Sequence, residues 1–203
     1  MMAMAVAALS LGACNVGSVT ELPAPVDAAV KSIDPDLASP IRTDADKGRD
    51  QYRHPKETVA FFQINPKGKI GEYAPGGGWW TAILAPWVAA NGGQFYGIGF
   101  NPDTPALGEK GMAGAAAFPT NFPTNMVAKT GLSSGIGALH TGDLGNHAGT
   151  FDFIMATRMM HNMLRWGVID REFTAMHALL KPGGMIGIEQ HRAPANAAES
   201  YVD

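Results

Sequence analysis

Apolar residues fall into two alternating patterns along this chain. Short apolar runs at 69–74, 94–100, 135–140, 151–157 and 185–191 read as five strands. Several are almost continuously apolar, as strands covered on both faces are. Helical patterns lie between them. Trp80, Ile83, Leu84, Trp87 and Val88 recur at i, i+3, i+4, i+7 and i+8, which predicts one apolar stripe with Trp80 in the core, and Pro86 predicts a kink. Ile169, Phe173, Met176, Leu179 and Leu180 form a second stripe, stopped by Lys181-Pro182-Gly183-Gly184. Another helix is expected after His54, with Pro55 in its first turn and Thr58, Val59, Phe61 and Phe62 along it. Residues 101–131, rich in Gly, Ala, Pro and Asn, read as a long, partly ordered connection over the sheet's carboxyl edge. Strand–helix alternation of this kind predicts an α/β open parallel sheet with right-handed crossovers. No internal repeat is present.

Composition narrows the class. The chain has 203 residues, 46% of them apolar, and a net charge of −3, so it is long enough for one domain with a real core and too apolar for a disordered or fibrous protein. No apolar run reaches the roughly 18 residues of a membrane-spanning helix. Slight acidity without a basic stripe argues against a nucleic-acid partner. A single cysteine excludes an intramolecular disulfide and a cysteine-based metal cluster. The six histidines show no H-E-x-x-H or other tight ligand spacing, so no metal is expected.

The first residues, MMAMAVAALSLGACN, form an uncharged apolar segment ending in Leu11-Gly12-Ala13-Cys14. That ending resembles the lipobox of bacterial lipoproteins, in which the cysteine thiol carries diacylglycerol. Lipidation at Cys14 would anchor the chain to a membrane, each buried methylene contributing about 0.8 kcal/mol. No Lys or Arg precedes the run, which keeps a cytoplasmic location open beside export to the periplasmic side. Pro23, Pro25, Pro35 and Pro40 among Ala, Ser and Asp then read as a flexible tether with one short helix near 26–33. The expected organisation is a signal segment at 1–14, a tether at 15–43 and a folded domain at 44–203.

The first strand joins its helix through Glu72-Tyr73-Ala74-Pro75-Gly76-Gly77-Gly78-Trp79-Trp80. Glycines here permit positive φ and leave no Cβ in the way of a ligand on the backbone. The helix N-terminus beyond offers free N–H donors, so a nucleoside-containing cofactor suits this turn. A dinucleotide fingerprint counted from Gly76 and Gly78 places Thr81 where its third glycine belongs. No lysine follows Gly78, so the phosphate loop of nucleotide hydrolases fails as well.

The segment resembles motif I of class I S-adenosylmethionine-dependent methyltransferases, an acidic residue followed by G-x-G-x-G, with Ala74 in place of the first glycine. The runs QYRHPKETVAFFQINPKGKIGEYAPGGGWWTAILAP and RMMHNMLRWGVIDREFTAMHALLKPGGMIGIEQHRAP resemble a family of bacterial predicted methyltransferases, often exported. The resemblance implies a Rossmann-like open sheet that ends in an antiparallel hairpin. Because the chain stops shortly after the fifth strand, that hairpin is expected to be missing and the domain incomplete.

The resemblance also implies site residues. The backbone at Ala74, Gly76, Gly77 and Gly78 would line S-adenosylmethionine (SAM), and Glu72 would help to hold its amino group; otherwise Glu72 is a solvated carboxylate. The usual ribose-binding acid falls at Gly99, which leaves Asn101 or Asp103 to substitute, or a plain N-P-D turn. Asp143 matches the acid near the adenine amino group. His161 is the first candidate for a general base and His191 the second, a neutral imidazole suiting that role. Arg158, Asn162, Arg192 and His54 are candidates for binding the acceptor, a small or envelope-associated molecule. Tyr52, Arg53 and His54 would either fold over the site or seal the sheet. No obligate protein partner is expected. Two other functions stay open: a non-catalytic anchored binding protein on the same scaffold, and a nicotinamide oxidoreductase.

Overall fold

The computed structural model describes residues 30–198. Cys14 and the signal segment lie outside these residues. Five parallel strands form one sheet in the order β3-β2-β1-β4-β5, namely β1 (Lys69–Tyr73), β2 (Gln94–Gly99), β3 (Ile136–His140), β4 (Phe151–Thr157) and β5 (Leu180–Glu189). The order reverses direction between β1 and β4, so a crevice opens at their carboxyl ends, where sheets of this type bind ligands. The strands agree with the sequence pattern except at β5. There Phe151 pairs with Leu180 but Phe153 pairs with Met185, so Lys181–Gly184, directly after the helix that ends at Leu179, bulges out of the strand. Gly184 is needed in that bulge, because a Cβ there would stand 2.8 Å from the carbonyl oxygen of Phe151.

Before the sheet come α1 (Asp34–Ala38), α2 (Asp44–Lys47), α3 (Asp50–Arg53) and α4 (Pro55–Phe61). The packed part of the chain begins earlier than residue 44. Val30 and Ile33 are buried in the core, and the Trp87 indole N–H donates to Ser32 Oγ at 2.7 Å. Residues 30–43 are therefore part of the domain, where the sequence pattern predicted tether. In α4 Val59 is fully buried, while Phe61 is 80% exposed.

Alternation along the central strands feeds two cores. Phe153 and Met155 face one layer, with Ile33, Val59, Trp80, Trp87 and Phe122. Ile154 and Ala156 face the other, with Tyr73, Met163, Met176 and Leu179. The first layer contains α5 (Thr81–Ala90), which is buried on nearly every side and not along one stripe. It is enclosed by the sheet, α1 and α6 together, so its sequence has no polar face to mark. The second layer contains α7 (Met160–Arg165) and α8 (Ile169–Leu179).

The main departure from the sequence pattern is α6 (Gly108–Thr130), a 23-residue helix where a loose connection was expected. Gly, Pro119 and Pro123 weaken it locally, since each proline removes one helix hydrogen bond. Packing overrides that cost. Phe118, Phe122 and Met126 recur every four residues and make one stripe. The two rings stack with centroids 4.8 Å apart and lie directly on β2 at Gly99 and Gly97. A Cβ at Gly97 would stand 2.4 Å from the Phe122 ring, and one at Gly99 2.8 Å from Phe118.

Gly97→Ala should therefore cost about 1–3 kcal/mol by overpacking. Gly114→Ala, in α6 with open space around it, should instead stabilise by roughly 0.5–1 kcal/mol. Urea unfolding of the two variants reads both signs.

Candidate functional site

The turn after β1 divides its glycines between two duties. Ala74, Gly76 and Gly78 all have positive φ, at 50°, 54° and 75°. The Ala74 N–H donates to the Ile98 carbonyl at 2.8 Å, which holds a conformation uncommon for a residue with a side chain. A Cβ on Gly78 would stand 2.6 Å from Met126 Sδ, so this glycine lets α6 approach. A Cβ on Gly76 would meet only the Ala74 carbonyl oxygen, at 4.0 Å, and one on Gly77 nothing. The main chain at 76–77 is thus bare toward open space, and a cavity lies on each side of it.

One cavity, of about 510 Å³, is the polar one of the two, with charged and apolar residues sharing its lining. Glu72 is buried at its base and accepts a hydrogen bond from the Thr81 hydroxyl at 2.6 Å. Burial raises the Glu72 carboxyl to about 8, against smaller opposing effects of the Thr81 hydrogen bond and the Arg53 charge. Thr81, the residue that breaks the dinucleotide fingerprint, is thus the partner of the motif's own acid.

The segment 34–54 closes over Trp79. The Trp79 indole N–H donates to the Asp46 carbonyl at 2.9 Å, and the Arg53 guanidinium sits 4.4 Å from the ring centroid. Arg42, buried behind, is fixed by both Asp50 carboxylate oxygens at 2.9 and 2.5 Å and by the Leu37 carbonyl at 2.7 Å. Burial, then the nearby charges of Arg158 and Arg49, pull the Arg53 guanidinium below its usual range.

The opposite wall comes from the ends of β4 and β5. Arg158 has φ 58°, held by its N–H donating to the Glu189 carbonyl at 2.7 Å. Its Nε donates to His191 Nε2 at 2.9 Å. Gln190 accepts from the Met160 N–H at 3.1 Å, which orients its amide so that Nε2 donates to His161 Nδ1 at 3.0 Å. A neutral His161 then carries its proton on Nε2, and a neutral His191 on Nδ1. In this arrangement each imidazole offers an N–H, and its lone pair is engaged.

The second cavity, of about 480 Å³, is apolar. Phe100, Phe118, Met159 and Trp166 supply its large side chains, and Gly99, Gly111 and Gly114 its open floor. It shares Ala74, Pro75, Gly76 and Met159 with the polar cavity, so the two form one crevice over the turn. Gly99, where an acid was sought, is the position on which Phe118 rests.

Of the residues singled out in the sequence, Glu72, Ala74, Gly76, Gly77, Arg158, His161 and His191 line the polar cavity. Gly78, whose open side faces Met126, lines neither cavity, nor do Asn101 and Tyr52, and the same holds for five others. Asp103 is exposed, and its carbonyl accepts from Arg171 at 2.9 Å. Asp143 closes its own turn, accepting from the Gly145 N–H at 2.9 Å. Asn162 accepts from Arg165 at 2.8 Å. Arg192 is exposed, and exposed His54 takes a left-handed φ of 43° at the joint between α3 and α4, leaving Arg53 to reach the cavity.

Asp46, Arg49 and Lys129 were not anticipated at the site, because no local pattern connects them to the turn. Nor was the buried network beside it. The Tyr73 and Thr141 hydroxyls both donate to Glu172 Oε2, at 3.0 and 2.5 Å, and Arg171 bridges Glu172 Oε1 to Thr104. Glu172 falls on the apolar face of α8, three residues after Ile169 and four before Met176, and is buried there.

No protein-family profile and no curated protein matches this chain. Solved structures do. A SAM-dependent methyltransferase from Aquifex aeolicus is 18% identical with a TM-score of 0.50, over 83% of this chain and 77% of that one. A SAM-dependent methyltransferase from Mesorhizobium loti is 21% identical with a TM-score of 0.38, over 63% and 49%. A plantazolicin methyltransferase, solved with S-adenosylhomocysteine (SAH), is 15% identical with a TM-score of 0.36, over 81% and 61%. The Aquifex likeness shows the fold: a Rossmann-like methyltransferase sheet.

Glu72 makes the fold sensitive to pH. Its folded value of about 8 lies above the ordinary 4.5, so the native state binds the proton more tightly than the unfolded chain. Its contribution is complete below the ordinary value and is lost as pH rises through about 8, at up to about 1.4 kcal/mol per pH unit. Glu72→Gln, whose amide oxygen can still accept from Thr81, should flatten this decline in urea-unfolding free energy between pH 5 and 8.

Proposed function

We propose that this chain is a SAM-dependent methyltransferase of the exported bacterial kind its sequence resembles, acting on a small or envelope-associated acceptor. The observation that carries this reading is the bare main chain at Gly76, set between an apolar and a polar cavity at the point where strand order reverses. The cofactor has the same polarity along its length. The apolar cavity would take the adenosine, against Phe100 and Trp166. The polar cavity would take the amino-acid end, near Glu72 and Arg53. When bound, SAM supplies an electrophilic methyl group on a sulfonium.

The chain's own part is placement, which is the main demand of an in-line transfer. Ala74 to Gly77 offer a backbone surface without side chains. Trp79, clamped by Asp46 and Arg53, closes one side. Arg158, His161 and His191 form the facing wall, where the acceptor would lie. Lipidation at Cys14 would keep this crevice near a membrane surface.

No carboxylate lines the apolar cavity among the described residues. A ribose there would lack an acid partner, which favours, as a second reading, a non-catalytic binding protein that holds a different ligand on the same scaffold.

Calorimetry with SAM, SAH and NAD separates these functions. SAM and SAH should bind and NAD should not. Gly76→Val, which adds a branched side chain at the bare position, should abolish SAM and SAH binding. Strain at its positive φ should cost only about 1–2 kcal/mol of stability. Binding that survives in a folded Gly76→Val protein would place the site elsewhere, and no SAM or SAH binding at all would overturn the methyltransferase reading.

A further inference from the structure

The polar cavity carries more positive charge than any ligand so far assigned to it can balance. Arg49, Arg53, Arg158 and Lys129 line it. Against them stand Asp46, which lies 3.9 Å from Lys129, and Glu189, within electrostatic reach of Arg53. Glu72 adds little charge at neutral pH, because burial raises its carboxyl to about 8. Among the described residues, none of the three arginines has a carboxylate oxygen within 4.0 Å. The excess is local, since the whole chain has a net charge of −3. The proposed cofactor does not relieve it, because one carboxylate is outnumbered by its ammonium and its sulfonium.

The histidines point the same way. Gln190 donates to His161, and Arg158 donates to His191, so on each ring the other nitrogen is left as an N–H donor. Their centroids are 6.2 Å apart. The Arg158 guanidinium spends one donor on His191 and keeps the rest of its fork. Its left-handed backbone is held by Glu189, an uncommon conformation of the sort that gathers at ligand sites. Cations and ring N–H donors together are a receptor for an anion, and a poor arrangement for removing a proton.

We propose, resting on the methyltransferase reading, that the acceptor is a small anion bearing a carboxylate or phosphate group, bound by Arg158 with His161 and His191 as N–H donors. The methylated atom is then one that needs no proton taken by either imidazole. A carboxylate oxygen qualifies: its lone pair forms the new bond to the methyl carbon, and the carbon–sulfur pair leaves with the thioether product.

The test is calorimetric titration of the SAH-saturated protein with benzoate and with inorganic phosphate, in parallel with titration of the free protein with SAH. Wild type should bind at least one anion. Arg158→Gln should weaken that binding roughly tenfold or more, the ordinary size of a charge-assisted hydrogen bond, with SAH affinity unchanged. Lys67→Gln, which removes the same charge from the exposed loop before β1, should bind both as wild type does. Tighter binding of phosphate assigns a phosphate-bearing acceptor, and tighter binding of benzoate a carboxylate. If SAH binds but neither anion does, or if Arg158→Gln binds the anion as tightly as wild type, the anionic acceptor is overturned and the methyltransferase reading stands. If SAH does not bind, the methyltransferase reading falls, and the acceptor role falls with it.

Discussion

The approach of α6 to the sheet sets the shape of this molecule's working edge. Phe118 and Phe122 lie against β2 because Gly97 and Gly99 present no side chain there. Met126, one turn further on, reaches Gly78 in the turn after β1. Three glycines in two elements thus accept one stripe of one helix. Interiors at crystal-like density tolerate little change in volume at such contacts. With α6 seated this way, Phe118 walls the apolar cavity and Lys129 reaches the polar one.

The same constraint explains an absence. In proteins with this fold an acid at the end of the second strand is the familiar partner of a ribose. Here Gly99 carries Phe118, so that corner of the cavity is walled by hydrocarbon. The polar groups gather on the other side of the glycine turn. There Arg42 and Asp50 brace the segment that carries Asp46, Arg49 and Arg53, and the ends of β4 and β5 bring Arg158, His161 and His191. The crevice is apolar at one end and cationic at the other, with bare backbone between. A ligand that spans it must change character along its length in the same sense.

Buried polar groups keep these walls in place. Glu72 bonds Thr81 beneath the turn, which ties the last part of β1 to the first turn of α5. Glu172 collects Tyr73, Thr141 and Arg171, and Arg171 in turn holds Thr104 and the Asp103 carbonyl. That network joins α8 to the carboxyl ends of β1 and β3 and to the connection leading from β2 into α6. Groups so desolvated are costly to leave unpaired, which makes each network specific to one arrangement of the loops around the crevice.

Local pattern alone determined the strands, α8 and the special character of Glu72 to Gly78. Burial on both faces forces nearly continuous apolar runs, and a tight turn with positive φ favours glycine; both leave marks within a few residues. Tertiary contact decided the rest. The sequence of α6 is poor for a helix, and only the glycine face of β2 makes it one. The single stripe read in α5 dissolved because three neighbours surround it. Asp103, Asp143, Asn162 and His54 are the right kinds of residue near the right edge, yet their side chains stand outside both cavities. Arg53, Arg49, Asp46 and Lys129 meet there from two distant segments. Charge at a site is a sum over whatever the fold brings within a few ångströms, and spacing along the chain carries no record of that sum.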